Sequence, residues 1–142
     1  MNIDRFKHDH VDILGQIDNL RKLTHAGVQD NAAAIARGIV AISSTIKLHL
    51  AVEDRMLYPA LAKSGNPELA RLSQRFQHDM GSIATAFMAF ARQWNTAERV
   101  RANAQAFRNE ANDVLRRVHE RMQRENREFY PRIEAEEALA VP

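Results

Sequence analysis

The sequence predicts an all-α protein, an up-down-up-down antiparallel four-helix bundle. Three observations carry that prediction. Apolar residues recur at helical spacing along four long segments. Breaks built from Gly, Asn, Pro or Thr separate these segments and leave short loops, which favour antiparallel neighbours. No segment alternates apolar and polar residues as a half-buried strand would. The 142 residues suffice for a single domain, 1–142, with a core of its own.

Helix 1 is expected from about Ile3 to His25, capped by Asn2 or Asp4. Ile3, Phe6, His10, Ile13, Leu14, Ile17 and Leu20 share one face. Ala26-Gly27 ends it, and Asp30 is placed to cap the next helix. Helix 2 is expected from about Asn31 to Lys63, with Ile35, Ile39, Ile42, Ile46, His49, Glu53, Leu57 and Leu61 facing inward. Ser64-Gly65-Asn66-Pro67 then breaks the chain, with Asn66 a cap and Pro67 the first residue of helix 3. Helix 3 runs to about Gln93 on Leu72, Phe76, Met80, Ile83, Phe87, Phe90 and Trp94. Helix 4 follows a Thr96 cap toward Glu137, irregular near Asn103. Its stripe is Phe107, Ala111, Val114, Val118, Met122, Glu125, Phe129 and Ile133.

Composition narrows the function. Without Cys there are no disulfides, thiolate metal sites or thiol redox chemistry, which suits a cytoplasmic protein. The start of the chain is charged and has no apolar signal segment. No stretch of about 18 consecutive apolar residues marks a membrane span. The net charge is only +2, and the arginines of helix 4 alternate with glutamates as a solvated face does. No nucleic-acid or membrane partner is therefore expected. No nucleophile–base pair, phosphate loop or nucleotide fingerprint appears, so an enzyme is not expected unless a metal supplies the chemistry.

Helices 2 and 4 echo each other. The segment from His49 to Pro59 aligns without gaps on that from Arg121 to Pro131. Glu53 matches Glu125, Arg55 matches Arg127, Tyr58 matches Tyr130 and Pro59 matches Pro131. Each proline is expected to bend or end its helix. The echo fails at one informative place, where His49 faces Arg121 in the alignment.

The apolar stripes thus carry His10, His49, Glu53, Arg121 and Glu125. A carboxylate in an apolar core is costly unless paired or bound to a metal. His49 and Glu53, at i and i+4, lie on one face and can bind one ion. Imidazole with carboxylate suits iron, manganese or zinc. Arg121 offers the other solution, because its guanidinium can bridge Glu53 and Glu125 with His10 and His49 completing the network.

On Asp9-His10, His49-xxx-Glu53-Asp54 with Tyr58-Pro59, and Glu125-Asn126 with Tyr130-Pro131, the whole chain resembles the hemerythrin-like, or HHE cation-binding, family. The resemblance implies a non-haem di-iron site between four helices, with His10, His49, Glu53 and Glu125 as ligands and His78 as the candidate from helix 3. It also implies a role in oxygen binding, sensing of oxygen or nitric oxide, iron storage and handling, or iron–sulfur repair. The chain departs from that pattern in three ways. Arg121 replaces the helix 4 histidine and has no lone pair for a metal. His78 lies opposite the apolar stripe of helix 3. The Cys-containing region of the repair proteins is missing.

Three arrangements follow: a metal-free polar core, a site for one ion, or an intact di-iron site. The functional expectation is a small cytoplasmic cation-binding protein with a degenerate site, acting in binding or sensing through a metal ion or a small diatomic ligand. An iron-dependent redox or stress protein, and a metal-free structural or interaction domain with a salt-bridged core, are the alternatives. A small-residue face on helix 3, with Gly81, Ser82, Thr85 and Ala89, could form a homodimer seam.

Overall fold

The computed structural model describes residues 2–140. Five helices follow one another: α1 (Asp4–Ala26), α2 (Ala32–Ala62), α3 (Pro67–Gln93), a short α4 (Ala97–Ala102) and α5 over residues 104–140. No strand occurs among the described residues. The bundle consists of α1, α2, α3 and α5.

Local chemistry sets the helix ends. Asn2 Oδ1 accepts from the Asp4 N–H at 2.8 Å. Gly27 ends α1 at φ 138°, a conformation that costs a residue without Cβ little. Asp30 does not cap α2 as expected. Asn31 occupies that position, and its side chain turns back to donate to the Gly27 carbonyl at 2.8 Å. Asn66 Oδ1 accepts from the N–H groups of Glu68 and Leu69, with Pro67 beginning α3. Thr96 caps α4 through the Arg99 N–H. The irregularity anticipated at Asn103 is a full break at φ −148°, ψ 72°, where Asn103 Oδ1 caps α5 through the Ala106 N–H.

The helices close a square in which α1 neighbours α2 and α5, and α3 neighbours α2 and α5. Two apolar clusters fill it. One runs through Ile13, Ile17, Ile39, Ile46, Met80, Phe87, Phe107 and Val118. The other gathers Ile3, Phe6, Leu57, Leu61, Phe76, Phe129 and Ile133. The chain passes from the second cluster to the first along α1 and α3, and from the first to the second along α2 and α5. That alternation is the up-down-up-down topology. Each fully buried Ile or Phe contributes about 1.5–3 kcal/mol. At Gly38 an added Cβ would lie 2.7 Å from Leu20 Cδ2, so glycine permits the close approach of α2 to α1. By length and composition α2 could cross a membrane, although no unbroken run of about 18 apolar residues marks it. Its Ile35–Ile46 stripe is instead buried within the bundle.

Candidate metal centre

Between the two apolar clusters lies a polar layer: His10 from α1, His49 and Glu53 from α2, and Arg121, Glu125 and Tyr130 from α5. All six are buried, Glu53 completely. The helices reach this layer through a shared distortion. In a regular α-helix a four-residue step overshoots a full turn by about 40°. The inward series His49, Glu53, Leu57 and Leu61 makes three such steps, a drift of about 120°. Yet all four residues are buried. A π-helical turn at Glu53–Leu57 resolves this, closed by the Tyr58 N–H on the Glu53 carbonyl. Its extra residue takes back about 100°. In α5, the series Arg121, Glu125, Phe129 and Ile133 is corrected by the same turn at Glu125–Phe129, closed by the Tyr130 N–H on the Glu125 carbonyl. The bends expected at Pro59 and Pro131 are therefore π turns lying just before each proline. Each proline follows where the i→i−4 ladder is already interrupted, so its missing N–H costs less. Each core glutamate opens a π turn.

The two histidines converge. His10 Nε2 and His49 Nε2 are 3.2 Å apart. Glu53 Oε1 lies 3.2 Å from His49 Nε2, and Glu125 Oε1 lies 3.6 Å from His10 Nε2. Outer groups fix both rings. His49 Nδ1 donates to the Asp9 carboxylate at 3.0 Å, and His10 Nδ1 donates to Asn126 Oδ1 at 2.8 Å. With both Nδ1 atoms occupied as donors, both Nε2 atoms turn to the same point. Two imidazole lone pairs that close repel unless a positive charge lies between them. That charge is a proton or a metal ion. Carboxylate or amide support behind a histidine is a standard feature of metal sites.

The titration behaviour agrees. Burial, with His49 nearby, lowers the His10 pKa to about 4, so the ring is neutral. Burial alone would also lower His49, but its bonds to Glu53 and Asp9 outweigh this and raise it to about 9. Burial pushes Glu125 well above the usual carboxylate range; Glu53 adds to this and Arg121 opposes it. Burial likewise holds Tyr130 and Tyr58 as neutral phenols. Tyr130 donates to Glu53 Oε2 at 3.2 Å and lies 3.0 Å from His10 Nε2.

Arg121 occupies this layer on the side of α3. It does not bridge the two glutamates as the sequence suggested. Its Nε lies 3.5 Å from Glu125 Oε1, one Nη donates to the Phe76 carbonyl at 2.6 Å, and its Cζ stacks over the Phe76 ring at 4.6 Å. Glu53 instead pairs with His49 and Tyr130. His78, the candidate ligand from α3, is exposed on that helix, opposite the buried Phe76 and Met80. The sequence did not assign roles to Asp9, Asn126 or Tyr130. In the sequence the first two stand only as neighbours of His10 and Glu125, and Tyr130 only as part of the repeated Tyr-Pro.

These residues suit one cation. Donor atoms of His10, His49 and Glu125 all lie within 4.8 Å of one another. Both Glu125 carboxylate oxygens are buried without a hydrogen bond, which is costly unless a cation takes them. Arg121, itself a cation, stands in the layer beside Glu125, and His78 is exposed on α3. Among the described residues no other cluster of three such donors occurs.

Residues 1–133 match a family model, the hemerythrin HHE cation binding domain. No curated protein and no solved structure matches the chain.

Proposed function

The chain belongs to the hemerythrin HHE cation-binding domain family, and on that premise we propose that it binds a single cation and acts in binding or sensing. One observation carries the reading. Two buried imidazoles, each anchored at Nδ1, meet with Nε2 atoms 3.2 Å apart beside two carboxylates. His10, His49, Glu53 and Glu125 would hold the ion. Iron is the first choice on ligand type, with manganese or zinc as the other options. The bound ion supplies a Lewis acid, and as iron a redox centre, to which a small diatomic ligand can bind.

The protein's own groups have separable parts in this reading. Asp9 and Asn126 hold the rings in orientation. His49 gives up its proton so that its Nε2 lone pair is free. Tyr130 presents an O–H to Glu53 and His10. The apolar clusters on both sides exclude water. A cytoplasmic setting is part of the proposal, as is a homodimer through the small-residue face of α3.

A second reading is favoured by Arg121. Its contact with Glu125 supports a metal-free core in which the guanidinium and a protonated His49 supply the positive charge. An iron-dependent redox or stress role uses the same residues and differs only in what the loaded ion does. Metal analysis after anaerobic reconstitution with iron, manganese and zinc separates these readings. About one ion per chain supports the proposal. No retained metal supports the metal-free core and overturns the proposal. Redox cycling of bound iron by oxygen or nitric oxide would move the reading toward the stress role.

A further inference from the structure

On the outer side of Arg121, α3 and α5 leave a groove of about 380 Å3. We propose that this groove is a binding site for a small oxyanion, a carboxylate or phosphate group, with Arg121 as its floor. Three arginines line it: Arg117, Arg121 and Arg124. Asp79 and Glu120 line it too, but both are exposed and so well solvated. Arg121 differs from the others in being only 3% exposed. Its Nη1 and Nε have no hydrogen-bond acceptor. Its one ion-pair contact, Nε to Glu125 Oε1, is a long 3.5 Å.

A buried guanidinium with an idle donor is an expensive feature; Nε is turned inward to Glu125, and an oxyanion at the groove floor would give Nη1 its partner. The planar fork of arginine matches the paired oxygens of carboxylate and phosphate. The Phe76 ring and carbonyl hold the fork in place from the inner side. Arg124 also leans on that ring, at 5.1 Å, while its Nε is engaged by Glu128 at 3.1 Å. Ser82 gives the α3 wall a small side chain. The site is built from the metal-free chain alone.

The test is an NMR titration of the metal-free full chain with inorganic phosphate, then with acetate, at ionic strength fixed by sodium chloride. The expected result is a saturable shift of the Arg121 Nε–H signal and of the backbone amides near Ser82, in the millimolar range. Response to phosphate alone assigns the phosphate class, and response to acetate as well assigns carboxylates too. Arg117→Gln should weaken binding a few-fold. Ser82→Asp, at an exposed position and with its fold checked by circular dichroism, should weaken it at least about tenfold by placing a carboxylate in the wall. Shifts that do not saturate, that spread over all exposed arginines, or that survive Ser82→Asp unchanged would overturn the proposal.

Discussion

Replacing Arg121 by histidine removes a fixed cation from the polar layer and restores an imidazole one turn before Glu125. The Arg121 Nε stands 3.5 Å from Glu125 Oε1. Unit charges about 4 Å apart at an effective dielectric of about 20 interact by about 4 kcal/mol, and a dication on Glu125 would feel roughly twice that as repulsion. Side-chain movement relieves part of it. If about 3 kcal/mol is recovered, metal affinity rises about 100-fold. The same change costs the metal-free protein stability, because the Phe76 carbonyl loses a donor at 2.6 Å and Glu125 loses its guanidinium. A loss of about 3 kcal/mol is expected, as for a broken buried pair. Competition against a chromophoric chelator measures the first effect, and urea unfolding with and without metal measures the second. A folded Arg121→His protein whose metal affinity is unchanged or lower would refute the view that Arg121 opposes the cation.

Other perturbations separate the roles assigned above. Asp9→Asn and Asn126→Ala should each lower metal affinity by about 10–100-fold without unfolding the chain, because they release a ring rather than a ligand; chelator competition reads this. His78→Ala, at an exposed position, should leave that affinity within about twofold. Metal affinity should climb with pH up to about 9, where His49 loses its proton, by at least about tenfold per unit, and calorimetry in buffers of differing ionisation enthalpy should detect the released proton. Metal-free stability should respond in three windows, one of them set by Glu125, whose raised pKa contributes stability present below about 4.5 and lost as pH rises through about 8. The raised His49 pKa contributes stability that is complete below about 6.5 and is lost as pH rises through about 9, by up to about 3 kcal/mol. The lowered His10 pKa contributes stability present above about 6.5 and lost as pH falls through about 4. Urea midpoints from pH 4 to 10 check all three.

The helical stripes were legible because burial in a bundle leaves a strict periodic trace. Ile35 to Leu61 and Phe107 to Ile133 are buried along their whole predicted faces. Asn66 and Thr96 were legible as caps because their side chains have one good acceptor and a following helix that needs it. Asp30 misled because the adjacent Asn31 can also reach the loop, and it turned toward Gly27. The π turns leave only an indirect trace in the sequence: four inward positions at repeated four-residue spacing overrun an α-helix, while the prolines by themselves signal a bend. His10, His49, Glu53 and Glu125 were legible as buried polar residues because such residues on an apolar stripe need an explanation. Asp9 and Asn126 were not, because half-buried polar residues beside a ligand look like ordinary surface in a sequence. The pairing of Arg121 with Glu125 and the Phe76 carbonyl depends on where α3 sits, and spacing along α5 does not contain that information.

Anomalous diffraction from crystals of the full chain reconstituted with manganese or iron tests the central claim most directly. The account predicts a single peak bounded by His10 Nε2, His49 Nε2 and the Glu53 and Glu125 carboxylates, with Arg121 displaced from Glu125. Two peaks within the bundle, or none together with Arg121 still against Glu125, would contradict it.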